Sequence, residues 1–263
     1  LTGDEIDDKI VTRWAGDTGT TTGAHPGGRM AEIRDIEVVV FDVLGTLVDE
    51  PGGLRAALRE ALPASDDAPD DDAVDALLTI WQQHVEREQQ RIAQGLRAYA
   101  NTETIDAEAA GHVADHAGLT DPATVARLAT AGQRLPAWGD SVAGLERLAR
   151  HFPVFGLSNA GRTALPRLNA HAGLRWHQAL SAEAVSAYKP APEVYRLAID
   201  AAGCPPERVL MVAAHAWDLR GAQAAGMRTA YVRRPVGDPP TGSDVFDGRF
   251  DGLDDLVTAL TAR

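Results

Sequence analysis

Residues Ile36 to Phe41 form a β-branched, almost unbroken apolar run, IEVVVF. Such a run predicts a strand buried on both faces, as in a parallel sheet. It ends in Asp42 and enters a turn at Gly45–Thr46. Helical spacing follows at Leu54–Leu62, at Ala73–Arg97 (apolar at Val74, Leu77, Leu78, Trp81 and Val85), at Thr104–Ala117 and at Ala123–Gln133. An acidic linker occupies Pro63–Asp72, and residues 50–137 read as all-helical. Beyond them the pattern alternates. Helices are predicted at Ser141–His151, Arg162–Ala172, Pro192–Ala202, Asp218–Ala225 and Leu253–Ala262, and short strands at Val154–Leu157, Ala179–Ser181, Arg208–Ala213 and Thr229–Val232. Alternation of this kind implies an α/β fold: a doubly wound, Rossmann-like parallel sheet core with an inserted all-helical domain. The core takes residues 30–50 and 138–263, and the insertion 51–137. Residues 1–29 are small and polar, rich in turn formers and without periodicity from Gly16 to Gly28. They read as an N-terminal extension, flexible or foreign to the domain, with Glu5–Ala15 its one candidate helix.

Composition narrows the class. A chain of 263 residues holds one large domain, or a core with a smaller module. Hydrophobic residues make up 44% and charged residues 24%, which excludes a disordered chain. The net charge of −13 argues against a nucleic-acid partner. No apolar run reaches the length of a membrane span, so no membrane partner is expected. Leu1–Asp8 carries four acids and no apolar stretch, which argues against a signal peptide. The lone Cys204 rules out an intrachain disulfide and a cysteine-rich metal site. The expectation is a soluble cytoplasmic protein. Of 25 basic residues only Lys9 and Lys189 are lysines. A lysine kept in an arginine-rich chain invites a chemical role, because its pKa shifts on burial whereas arginine stays charged.

Ligands of doubly wound sheets bind beyond the carboxyl ends of the strands. The predicted strand ends there offer Asp42 with Thr46, Ser158 with Asn159, Lys189, and Asp218. Singly, each has an ordinary alternative as a helix cap or turn residue. Together and in this order they make a chemical constellation.

The motif Phe41-Asp42-Val43-Leu44-Gly45-Thr46-Leu47 resembles the nucleophile loop of the haloacid dehalogenase superfamily. Leu157-Ser158-Asn159, Tyr188 to Tyr195 (YKPAPEVY) and Met211 to Asp218 (MVAAHAWD) resemble its second, third and fourth motifs. The resemblance covers about residues 34–262 and is closest to the L-2-haloacid dehalogenases. It implies a helical cap at the insertion and a homodimer. It also implies hydrolysis of a short halogenated carboxylic acid. In that chemistry Asp42 displaces halide in an SN2 step and leaves an aspartyl ester that water hydrolyses. Lys189 would supply the counter-charge, Thr46 and Ser158 would orient the carboxylate, and Asp218 would position Lys189 or help activate water. Leu44, Gln82, Gln83, Asn159, Tyr195, His215 and Trp217 fall on the substrate side. Asn159 would bind the substrate carboxylate or the leaving group, and Tyr195 would support Lys189. Trp217 would wall an apolar pocket, with ordinary core packing as its alternative.

Four features of these motifs matter. Phosphatases of the superfamily place a second Asp where this chain has Leu44, which cannot donate a proton. Halide needs no protonation to leave, so Leu44 favours a carbon–halogen substrate. The fourth motif has the single Asp218, and no metal or other cofactor is expected. Dehalogenases of the family carry an Arg after a cap Trp, where Trp81 is here followed by Gln82 and Gln83. Arg87 and Arg91 are the candidate replacements, with solvated helix residues as the alternative. His215 stands where an Asn is common, as a base, a donor or a histidine satisfied by backbone groups. A magnesium-dependent phosphatase, a catalytically quiet binding protein on the same fold and a ring-opening hydrolase remain the alternatives.

Overall fold

The computed structural model describes residues 35–62 and 70–262. The expectations for residues 1–29, and most of the predicted linker, lie outside them.

The strands are β1 (Val38–Asp42), β2 (Val154–Ser158), β3 (Gln178–Ser181), β4 (Val209–Ala213), β5 (Arg228–Val232) and β6 (Gly248–Phe250). They form one six-stranded sheet in the order β3-β2-β1-β4-β5-β6, with every pair parallel. The helices are α1 (Glu50–Ala61), α2 (Asp71–Ala93), α3 (Thr102–Ala117), α4 (Pro122–Leu128), α5 (Ser141–Leu148), α6 (Ala164–Ala172), α7 (Pro192–Ala202), α8 (Ala216–Ala224) and α9 (Leu253–Thr261). Thus α1 to α4 interrupt the chain between β1 and α5, and the remaining helices flank the sheet.

Every residue of β1 is buried. Its alternation sends Val39 and Phe41 into a core shared with α5, α6 and α9, and Val38 and Val40 into one shared with α7 and α8. Burying a side chain such as Phe41 contributes about 1.5–3 kcal/mol. The first core continues into the helical insertion through Leu54, Leu77, Trp81 and Val113.

Hydrogen bonds also tie the insertion to the sheet's carboxyl end. The Gly161 N–H donates to Thr102 Oγ1 at 2.8 Å, and the Tyr188 hydroxyl donates to the Ala100 carbonyl at 2.7 Å. Glu103 Oε1 accepts the Ala164 N–H at 3.1 Å, at the start of α6.

Several boundaries differ from the sequence pattern. Helix α1 begins at Glu50, because Asp49 caps it by accepting the Gly52 N–H at 2.9 Å and Pro51 fits the first turn. Helix α2 stops at Ala93 and not at Arg97. There the chain turns through Gly95 at φ +71°, and the Leu96 N–H returns to the Arg91 carbonyl. Helix α4 ends at Leu128, with a separate 3-10 turn at Ala131–Gln133. Strand β6 escapes the pattern because three residues beginning with glycine carry no periodic signal.

The strand order reverses between β1 and β4, which are neighbours although distant in sequence. Their carboxyl ends therefore open a crevice, the usual place for a ligand in such sheets. No helix among the described residues is long and apolar enough to cross a membrane.

Candidate active site

Asp42 is the last residue of β1, at that crevice, and it is buried. The loop after it turns through Gly45 at φ +76°, where a Cβ would lie 2.6 Å from His215 Cε1. Glycine is needed there for conformation and for space alike. The turn brings Thr46 back, so that its hydroxyl donates to Asp42 Oδ2 at 2.6 Å. Thr46 Oγ1 in turn accepts the Ala214 N–H at 2.9 Å, which links β1 to the end of β4.

Lys189 lies beyond the end of β3, after a 3-10 turn at Ala182–Val185, and precedes a cis proline bond. Its N–H donates to Asn159 Oδ1 at 2.9 Å, which ties it to the end of β2. Its ammonium lies between two carboxylates, 2.9 Å from Asp42 Oδ1 and 2.8 Å from Asp218 Oδ2. Asp218, in the first turn of α8, accepts the Tyr195 hydroxyl on Oδ1 at 2.7 Å. Gly221 leaves room for that hydroxyl, because a Cβ there would lie 2.4 Å from it. His215 completes the group, with Nδ1 at 3.3 Å from Asp42 Oδ2.

Electrostatics follow from this packing. Burial pushes Asp42 up, but Lys189, His215 and Thr46 outweigh it and hold the carboxyl well below the usual range. Burial works against the Lys189 ammonium, yet Asp218 and Asp42 raise it. Asp218 is raised by complete burial and by the Asp42 charge, against the pull of Lys189. His215 is raised: burial opposes its charge, and Asp42, Asp218 and Glu50 favour it. The cluster thus offers an ionised carboxylate with little solvent around it.

Ser158 is fully buried at the end of β2, and its Oγ accepts the Ala160 N–H at 3.1 Å. That contact shapes the loop after β2, whereas Asp42 is held by Thr46, Lys189 and His215. The Asn159 carbonyl serves Lys189, which leaves its amide NH₂ half-buried beside the crevice. Leu44 is half-buried in the Asp42 loop, and Trp217 is half-buried with its ring centroid 5.7 Å from that of His215. Gln82 is half-buried and Gln83 exposed on α2, with no hydrogen bond to the cluster. Arg87 and Arg91, the candidate replacements for a cap arginine, are both paired within α2. Arg91 donates to Glu88 at 3.0 Å, and Arg87 faces Glu88 and His84.

Glu50 bears no mark in the sequence pattern. It opens α1 and acts on both His215 and Asp42 through its charge. Burial pushes its carboxyl up to about 7, with Asp42 pushing the same way and His215 opposing. Asp106 of α3 is raised well above the usual range by burial, by Glu50 and by Glu103. An acid in a first helical turn reads as an ordinary dipole-favoured residue, so only the fold reveals it. Among the described residues, no group of three or more His, Cys, Asp or Glu side chains is arranged to hold a metal ion.

A parallel α/β sheet with this carboxylate–ammonium–carboxylate cluster at its carboxyl end defines a hydrolase of the haloacid dehalogenase kind. A model of the haloacid dehalogenase-like hydrolases matches residues 36–226, and the chain belongs to that family. It is 30% identical over 206 residues to (S)-2-haloacid dehalogenase H-109 of Pseudomonas putida, covering 77% of this chain and 88% of that one. The (S)-2-haloacid dehalogenase of Xanthobacter autotrophicus is 30% identical over 206 residues, 76% of each chain. The crystal structure of the L-2-haloacid dehalogenase from Xanthobacter autotrophicus superimposes with a TM-score of 0.73 at 26% identity, over 86% of this chain and 98% of that one. A second structure from that organism, with chloropropionic acid covalently bound, gives a TM-score of 0.72 at 26% identity, over 86% of this chain and 98% of that one.

Proposed function

We propose that the protein hydrolyses the carbon–halogen bond of short (S)-2-haloacids, with Asp42 as nucleophile. The observation that carries this reading is the Lys189 ammonium, 2.9 Å from a buried Asp42 that keeps its charge. One Asp42 oxygen attacks the halogenated carbon as halide leaves from the opposite side. An aspartyl ester results, and water then cleaves it at the Asp42 carbonyl carbon. Inversion occurs once, so an (S)-2-haloacid gives an (R)-2-hydroxy acid. Leu44 agrees with a leaving group that needs no proton. The relatives named (S)-2-haloacid dehalogenase, and the neighbour with chloropropionic acid covalently bound, support the same chemistry. Residues 51–137 serve as a cap over the crevice in this reading, and no cofactor takes part.

The test is chloride release from (S)-2-chloropropionate in EDTA. The expected outcome is turnover by the native protein and none by Asp42→Asn. Release that persists in Asp42→Asn, or that requires a metal, defeats the proposal.

A further inference from the structure

Cleaving an aspartyl ester needs a group that takes a proton from water beside the Asp42 carbonyl carbon. The titratable groups around Asp42 are Lys189, Asp218, Glu50 and His215. Lys189 is an ammonium fixed between two carboxylates, and its side chain is 1% exposed. Asp218 is fully buried with both carboxylate oxygens engaged, one by Tyr195 and one by Lys189. Both are held by direct partners and are closed to an incoming water, at 1% and 0% exposure. Glu50 acts through its charge and makes no hydrogen bond to Asp42. His215 differs on each count. Its Nδ1 lies 3.3 Å from Asp42 Oδ2, and its side chain is 15% exposed, so water can reach it. Among the described residues its Nε2 makes no hydrogen bond. The imidazole rests against Gly45, and the His215 carbonyl, which accepts the Leu219 N–H at 3.2 Å, anchors it to α8.

We infer that His215 is the general base of ester hydrolysis, a role beyond the nucleophilic step and resting on the Asp42 ester proposed above. In the resting site the charges of Asp42, Asp218 and Glu50 favour the imidazolium. Ester formation removes the Asp42 charge and its hydrogen bond to the ring, and the imidazolium loses its proton to solvent. The neutral ring then takes a proton from water as the water oxygen bonds to the Asp42 carbonyl carbon. The bond from that carbon to the substrate oxygen breaks, and the departing oxygen takes the proton from His215. Asp42 is left as a carboxylic acid and passes its proton to His215, which restores the resting pair. Over the cycle one water and one haloacid give one hydroxy acid, one halide and one proton.

The test mixes native protein, His215→Asn and His215→Gln with (S)-2-chloropropionate. It follows chloride release and the mass of the Asp42 peptide over time and across pH. The expected variants release about one chloride per protein and then stall, with ester on Asp42 and hydrolysis slowed by on the order of 10²–10³-fold. That burst itself reports an intact fold. Native ester hydrolysis rises with pH as His215 loses its proton, and this rise is absent in the variants. Native-like turnover without accumulated ester overturns the role of His215 alone. So does loss of the chloride burst in a variant that keeps the native circular dichroism. Absence of chloride from the native protein overturns the dehalogenase reading together with this one.

Discussion

Two ionic clusters in this molecule use similar residues to opposite ends. At the crevice one ammonium, Lys189, serves two carboxylates, Asp42 and Asp218, all of them buried. In the helical insertion the ratio is reversed. There buried Glu88 meets three guanidiniums: Arg97 at 2.7 Å, Arg91 at 3.0 Å and Arg87 at 3.4 Å. Arg97 continues to Glu108, which faces His84. The arginines, Arg97 first, hold Glu88 near 2 against its burial. Cations in excess, with their heads partly in water, leave Glu88 no unmet demand, and its network joins α2 to α3. A deficit of cations leaves charge to be met at the crevice, where His215 and Thr46 share it. One cluster is fully neutralised and the other keeps carboxylate charge in excess, and the difference lies in stoichiometry and solvent access.

The sharpest way to break the contrast is Lys189→Met. Two buried carboxylates then lose their shared cation, which costs about 3–5 kcal/mol of stability. Urea unfolding measures that loss, and chloride release falls by on the order of 10³-fold. If Lys189→Met keeps native turnover, the crevice cluster is no more reactive than the other. Next in size is Glu88→Gln. Hydrogen bonds to a charged group are weakened there, at about 1–3 kcal/mol of stability in the same assay, while turnover stays within about twofold of native. A large loss of turnover in a fully folded Glu88→Gln would join the two clusters functionally.

The smallest effect is expected from Glu50→Gln. The Glu50 carboxyl, held at about 7, is charged above that pH, and on the proposed function that charge repels an anionic haloacid beside Asp42. Its removal lowers KM by ~3–10-fold above pH 7 and by little at pH 6. Stability shifts with it. The folded protein keeps this proton where the unfolded chain, with its ordinary value of 4.5, has lost it. Native stability therefore falls through this group as pH rises from about 4.5 to 7, and the Gln variant lacks that fall. Equal KM values for the two proteins at pH 8 would count against a charge facing the substrate.

Much of the fold was legible because its signals are local. An unbroken apolar run can only be a strand covered on both sides, and the alternation after residue 140 marks successive β and α units. Boundaries slipped where a single backbone conformation decided them, as at Gly95 and at the Asp49 cap. Asp42, Thr46, Lys189 and Asp218 could be named from their motifs and places along the chain. That Ser158 shapes a loop, that Arg87 and Arg91 pair with Glu88, and that the Glu50 charge acts on His215 could not. Each depends on which side chains meet across distant segments.

The sequence by itself determined the order of the helices and of every strand but β6, the helical interruption after the first strand, and the family motifs carrying Asp42 and Lys189. It could do so because periodicity and motif chemistry are written in neighbouring residues. Only the tertiary structure decided that one ammonium is shared by two carboxylates, and that an imidazole lies 3.3 Å from one of them. The physical reason is that charge acts through space. The field at Asp42 is set by groups on α1, at the start of α8 and on the segment after β3, which the parallel sheet gathers at its carboxyl end.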